Sequence, residues 1–179
     1  MAESIQSLPE TSLINTEVKM QFQSIPVQIP KGSNIILGQS HFIKTVEDLY
    51  EIMTASSCYV KFGIAFCEAS GPCLIRAAGN EQALQAAAID NAKAIAAGHS
   101  FIIVMQNAYP ISVLNAIKQC PEVCHIYCAT TNPVDVIVTE TDQGRGILGV
   151  VDGSVPKGVE TDEDVKVRHQ FLRQVSYKL

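Results

Sequence analysis

His41 and Lys44 stand between an apolar run that ends at Leu37 and a helix start signal at Thr45. An imidazole and an ammonium at that spot suit anion chemistry, because the free N–H groups of a first helical turn and the helix dipole both attract negative charge. The plainer alternative is a loop histidine bonded to backbone. Gln39 and Ser40 add polar side chains to the same loop. Other polar clusters also follow apolar runs: Glu68 with Ser70 and Gly71, Gln106 with Asn107, Thr130 to Asn132, and Gly144 to Asp152, while His99 precedes one. Ligands of α/β sheets gather outside the carboxyl ends of strands, so these loops are expected to share one cleft. Taken singly, each also reads as ordinary turn chemistry.

Two further patterns invite chemistry and fail on context. Gly144, Gly146 and Gly149 satisfy G-x-G-x-x-G, but strand and turn residues follow where a dinucleotide fingerprint needs a helix. A kinase glycine-rich loop fits the strand–turn–strand context better, yet its H-R-D, D-F-G and V-A-I-K partners are absent from the sequence. What remains is a glycine hairpin whose Arg145 either holds a phosphate or is simply solvated. The second pattern is Cys120, Cys124, His125 and Cys128. Alternation along a strand sends His125 to the face opposite Cys124 and Cys128, and no second cysteine pair answers the first. The expectation is core cysteines and no metal site.

The elements that must position these residues follow from periodicity. Val18 to Ile29 alternates as a strand and, through Pro30-Lys31-Gly32, turns toward a second strand at Asn34–Leu37, which predicts a hairpin. Thr45 with Asp48 predicts a capped helix, Thr45–Ala55. Cys58–Cys67 and Cys73–Arg76 read as strands. Asn80 is the expected cap of an alanine-rich helix from Glu81 to Ala97, with Gly98 as its left-handed stop. Ser100–Met105 is a short, wholly apolar strand, and a helix at Ile111–Gln119 carries the chain to a strand at Cys124–Ala129. That order predicts a crossover between parallel strands. Val134–Glu140 and Ile147–Val151 are further strands, and Thr161 to Leu179 is an amphipathic helix with acidic residues at its start. The fold expected is α/β or α+β: a single compact domain with a mixed β-sheet and flanking helices.

With 179 residues, 47% of them hydrophobic, the chain can bury one sizeable core. Its net charge of −5 and lack of a Lys/Arg run argue against nucleic acid as a partner. Only 17% of residues are charged, which leaves apolar surface that homo-oligomerisation can cover. No apolar run is long enough to cross a membrane. Residues 1–17 lack the basic and apolar regions of a secretory leader and are expected to form a flexible extension ahead of a domain at 18–179. Six cysteines without a leader point to a reducing, cytoplasmic setting.

The blocks GQSHFIKTVEDLYE, KFGIAFCEASGPCLIR, AAGHSFIIVMQNAYPISVLNAIK, PEVCHIYCATTNPVDVIV and GRGILGVVDG, in this order, resemble the adenosine-specific kinase family of archaea and bacteria. The resemblance covers nearly everything from Val18 onward. It implies a compact oligomer, trimeric in the family, that takes adenosine or an AMP-type ligand, uses ATP or another adenine nucleotide, and is compatible with Mg²⁺. It also implies a cleft histidine able to carry a phosphoryl group. The alternative under the same resemblance is a non-catalytic adenosine- or AMP-sensing module in which histidine phosphorylation is regulatory.

A neutral imidazole is a competent nucleophile near neutral pH and can divide one difficult transfer into two. His125 reads as part of a strand and His169 as part of the terminal helix, leaving His41 and His99. Both lie in matching blocks. His99 follows a helix C-terminus, where the dipole disfavours an anion, so the sequence selects His41 with His99 as the rival. Lys44, Lys61 and Arg145 are candidates to neutralise phosphate, with Gln39, Ser40, Gly144 and Gly146 beside them. Glu68 is a candidate to orient the imidazole, hold Mg²⁺ or bind a ribose hydroxyl, and Asp152 a candidate for the first two. Asn107, Thr130 and Asn132 are candidates for the nucleoside, with Tyr109 and Phe42 as stacking partners.

Overall fold

The computed structural model describes residues 21–179, so the expected extension at 1–17 and the first residues of the Val18–Ile29 strand lie outside the described residues. The chain forms one α+β domain built on two antiparallel sheets. The larger has the order β4-β3-β5-β2-β6, from Ile75–Gly79, Lys61–Cys67, Ser100–Gln106, Asn34–Ser40 and Val123–Thr130. The smaller has the order β1-β7-β8, from Gln21–Pro26, Val134–Glu140 and Arg145–Asp152. Helix α1 spans Thr45–Ser56, α2 Gln82–Ile95, α3 Leu114–Lys118 and α4 Asp162–Gln174.

The central strands are apolar on both faces because both faces are covered. On one side Ile36, Phe62, Ile64, Phe66, Phe101 and Ile103 meet Leu49 and Met53 of α1 and Ile117 of α3. On the other, Ile35, Leu37, Ala65 and Ile102 meet Leu84, Ala88 and Ile95 of α2 and Val136 and Val138 of the small sheet. Alternation in β2 and β3 therefore separates two cores. Gly63 lets α2 approach β3 closely: a Cβ there would lie 2.1 Å from the Gln85 amide nitrogen.

Several expectations change. The β1–β2 hairpin does not form: β1 pairs with β7, because β2 already has β5 on one edge and β6 on the other. The β5–α3–β6 crossover does connect strands of like direction, but both are antiparallel to β2, which lies between them. Thr45 does not cap α1. Lys44 holds the cap position without a side-chain bond, while the Thr45 hydroxyl bonds to Ser40 Oγ and the Phe42 carbonyl. Asn80 is not the cap of α2, a position taken by Glu81. Its amide instead accepts from the Phe62 N–H at 2.8 Å and donates to the Val60 carbonyl at 2.8 Å, pairing the buried start of β3. The left-handed stop is Ala96, at φ 51°, rather than Gly98. Gly98 is needed for space, since a Cβ there would stand 3.0 Å from that of Ala69. Two register shifts against β2 break the alternation in β6, leaving Cys124 and His125 both exposed.

Candidate functional site

The larger sheet gathers chemistry at the end where β2 and β3 finish and β5 and β6 begin. The His99 carbonyl accepts from the Ser40 N–H at 3.0 Å, and the His99 N–H donates to the Cys67 carbonyl at 2.7 Å. The His41 N–H donates to the Glu122 carbonyl at 3.0 Å. Strand pairing thus brings His41, Glu68, His99 and Glu122 to one end, with Gln39, Ser40 and Lys44 beside them.

His99 is held in the left-handed region at φ 62°, uncommon for a residue with a Cβ and a frequent sign of a constrained site. Its ring stacks on Phe66, with centroids 6.1 Å apart and planes 9° from parallel. Nε2 lies 3.9 Å from Glu68 Oε1. Glu68 is only 8% exposed. Its Oε1 accepts from the Ala69 N–H at 3.1 Å and the Ser70 hydroxyl at 3.2 Å, and its Oε2 faces Arg76 Nε at 3.5 Å. Among the described residues those two atoms have no hydrogen-bond partner, nor does the buried Thr139 hydroxyl. Burial works against the Glu68 charge, but the Ala69 amide, Ser70 and Arg76 more than offset it, so its pKa sits below the ordinary glutamate value.

The His41 side of the same end is charged differently. The Lys44 ammonium pairs with Asp48 and, at 3.2 Å, with the buried Glu122 carboxylate. The N–H groups of Thr45, Glu47 and Asp48 already donate to the Phe42 and Lys44 carbonyls. Cys120 joins Asp48 and Glu122, with donor atoms all within 4.8 Å of one another; Lys44 supplies the positive charge this group needs. The His41 ring is exposed beside Phe42.

Two clefts border the site. One of about 840 Å³ is lined by Glu68, Gly98, Thr139, Thr141, Gly144 and Arg145, among others. The other, about 490 Å³, lies between the first turn of α1 and β4 and contains Lys44 and Arg76. Arg145 is committed elsewhere. It donates to Glu140 at 2.9 Å, to the Ala94 carbonyl at 3.3 Å and to Gln23 at 3.4 Å, fastening the small sheet to the C-terminus of α2. Gly144, in the β7–β8 turn, and Gly146, the second residue of β8, flank it.

The remaining sequence candidates lie at the opposite end of the sheet. Lys61 pairs with Gln106, next to Asn107, and Thr130 pairs with Ile35. Thr130 and Asn132 both donate to Asp152, at 2.9 and 3.0 Å. The length of β2 separates these groups from His99 by about 20 Å at the usual rise per residue. A groove of about 550 Å³ there is lined by Tyr109, Thr130, Asn132, Phe171 and Tyr177. Arg76 and Glu122 escaped the sequence reading. A signal for Arg76 existed: the Glu68–Pro72 turn makes β3 and β4 a hairpin, and that hairpin sets Arg76 opposite Phe66.

An α+β domain with an imidazole–carboxylate pair at a sheet end, bordered by open clefts, has the build of a protein acting on small polar molecules. The profile of the adenosine-specific kinase family matches residues 25–178, and the chain belongs to that family. It is similar to the PH1918 protein from Pyrococcus horikoshii OT3, with 44% identity over 90% of this chain and 99% of that one, and a TM-score of 0.86. No protein with a curated functional description matches. Kinase family membership implies adenosine as a partner and a nucleotide substrate such as ATP. Among the described residues no helix is long and apolar enough to cross a membrane.

Proposed function

We propose that the protein transfers a phosphoryl group between an adenine nucleotide and an adenosine-type acceptor through a phosphohistidine, and that His99 carries it. The observation that carries this reading is the buried, charge-stabilised Glu68 facing His99 Nε2 at 3.9 Å. Such contacts tighten when substrate is bound. In the first half the imidazole lone pair attacks the terminal phosphorus, a P–N bond forms and the P–O bond to the departing diphosphate breaks. In the second half the acceptor hydroxyl attacks, the P–N bond breaks, and the hydroxyl proton passes to the departing imidazole or to water. Arg76, paired with Glu68 through Nε at 3.5 Å, is a cation close to the path. Glu68 is a poor Mg²⁺ ligand with Arg76 3.5 Å away, so Mg²⁺ would enter with the nucleotide.

The nucleoside is then read in the larger cleft, which Glu68, Thr139 and Thr141 line, rather than by Asn107, Thr130 and Asn132 at the far end. His41 is the second reading, favoured by its exposure beside the α1 N-terminus and by the cleft holding Lys44 and Arg76. The protein is proposed to be a cytoplasmic homo-oligomer, a trimer by family resemblance. Exposed Phe22, Leu148 and Val151 on the small sheet, and the absence of any buried residue in α4, support a partner copy.

The experiment is labelling with γ-labelled ATP and Mg²⁺, followed by an adenosine chase. Acid-labile label on the protein that moves to adenosine is expected. Label that stays on the protein indicates the sensing module instead. His99→Asn should abolish labelling and His41→Asn should keep it; the reverse pattern transfers the role to His41.

A further inference from the structure

We propose that Glu68 is a positioning residue that holds His99 with its proton on Nε2, so that Nδ1 is the nitrogen that reacts. This rests on the reading of His99 as the phosphoryl carrier. An ionised carboxylate has no hydrogen to donate, so the imidazole nitrogen facing it is the one that bears hydrogen. Glu68 cannot turn away. Oε1 is tied to the Ala69 amide and the Ser70 hydroxyl, and Oε2 is buried opposite Arg76. The His99 backbone is held, with its amide bonded to Cys67 and its carbonyl to Ser40, and its ring runs nearly parallel to Phe66 with centroids 6.1 Å apart. Nε2 faces Glu68 Oε1 at 3.9 Å, beyond hydrogen-bond reach, so the carboxylate favours the Nε2–H tautomer through its charge and the lone pair falls on Nδ1.

The balance of the step follows. The Nδ1 pair forms the P–N bond, the electrons of the broken P–O bond leave with the departing oxygen, and the Nε2 proton stays in place. The ring becomes cationic while facing Glu68, so no proton has to move during the transfer. Arg76 acts one step further back by holding Glu68 ionised and in place.

The test is long-range ¹H–¹⁵N NMR of the full chain with ¹⁵N-histidine, His99 being assigned by the signal lost in His99→Asn. The Nε2–H tautomer is expected in the wild type and in Glu68→Gln, whose amide oxygen still accepts. Glu68→Ala should give a mixture. An Nδ1–H tautomer in the wild type, or a mixture there, overturns the proposal. Phosphorylation with potassium phosphoramidate, which needs no enzymatic donor site, should give Nδ1-phosphohistidine at position 99, and the Nε2 isomer overturns the proposal. The two ideas fail separately: an Nε2–H tautomer in a protein that ATP does not label leaves Glu68's role intact and removes the carrier reading.

Discussion

Replacing Gly63 by alanine tests the joint on which the site depends. A Cβ at this position would stand 2.1 Å from the Gln85 amide nitrogen and 2.3 Å from the Gln85 Cα and the Leu84 carbonyl carbon. All three are backbone atoms of α2 or of its first turn, so no side chain can rotate away. Restoring ordinary contact at 3.4 Å means that α2 retreats from β3 by about 1.3 Å. A gap of only about 0.5–1 Å already forfeits a quarter to a half of the dispersion well of the atoms lining it. Overpacking costs about 1–3 kcal/mol when side chains can adjust, so a clash with backbone belongs at about 3 kcal/mol or above. For a chain of this size that lowers Tm by about 6–12 °C. The retreat also carries the Ala96–His99 turn, which follows α2 directly, so labelling of His99 should fall with stability. Gly149→Ala is the internal control: among the described residues nothing lies within 4 Å of its Cβ position, and its Tm should hold within about 2 °C. Thermal melts by circular dichroism read both variants. A Gly63→Ala melt as high as the wild type would refute the close approach of α2 to β3.

Asn80→Asp separates a helix cap from a clamp. A cap tolerates Asp, whereas a carboxylate cannot donate to the Val60 carbonyl, so the urea midpoint should drop by an equivalent of about 1–3 kcal/mol, close to that of Asn80→Ala. Alkylation at mildly alkaline pH should modify Cys58, Cys73 and Cys124 and spare Cys67, Cys120 and Cys128, as read by mass spectrometry. Burial, joined by Glu122 for Cys120 and by Asp152 for Cys128, pushes those two thiols up to about 11. Lys44→Met should change the pH profile of stability. The Lys44 bond holds Asp48 below its ordinary value of 3.8, so that contribution is present above this value and is lost as pH falls through the depressed one. Lys44 is raised above 10.5, chiefly by Asp48, so its share is present below that value and is lost as pH rises through the raised one. Wild type and variant should therefore differ across the neutral range and converge in acid, and parallel curves would refute the pairing. Thr161→Ala breaks the capping box with Asp164. Its cost of about 1 kcal/mol should speed amide exchange in α4 about fivefold while the global Tm stays put, because no α4 residue is buried.

The elements were legible where one periodicity ruled, and pairing was not. Ser100–Met105 reads as a strand buried on both faces because nothing in it tolerates water, and β5 is that strand. The β1 partner is not legible because Pro30-Lys31-Gly32 is a plausible turn locally, while the competition for the edges of β2 is decided by residues 61 to 95 positions away. Asn80 shows the same limit. Its side chain is an excellent cap in isolation, but the start of β3 presents an N–H and a carbonyl that only an amide can satisfy together. Ala96 takes the left-handed position because α2 ends at Ile95, two residues before the expected end, and Gly98 serves its approach to Ala69 instead.

The choice between His41 and His99 turns on the same contrast between local rules and distant commitments. A helix start beside His41 attracts an anion only while its amides and its lysine are free. Here three amides of the first turn are bonded locally, and Lys44 is drawn to Asp48 and Glu122. The helix end before His99 repels an anion only while its carbonyls are bare. Arg145, arriving from the small sheet already paired with Glu140, donates to the Ala94 carbonyl, so that carbonyl is no longer bare. Dipole effects of this kind amount to about 0.3–1 kcal/mol at exposed ends, which one charged side chain can cancel. A buried carboxylate aimed at an imidazole is the larger influence, because low local dielectric strengthens it and fixed neighbours hold it in place. The sequence displays both dipoles but hides Arg76, Glu122 and the reach of Arg145, and those three side chains are the ground on which His99 is proposed ahead of His41.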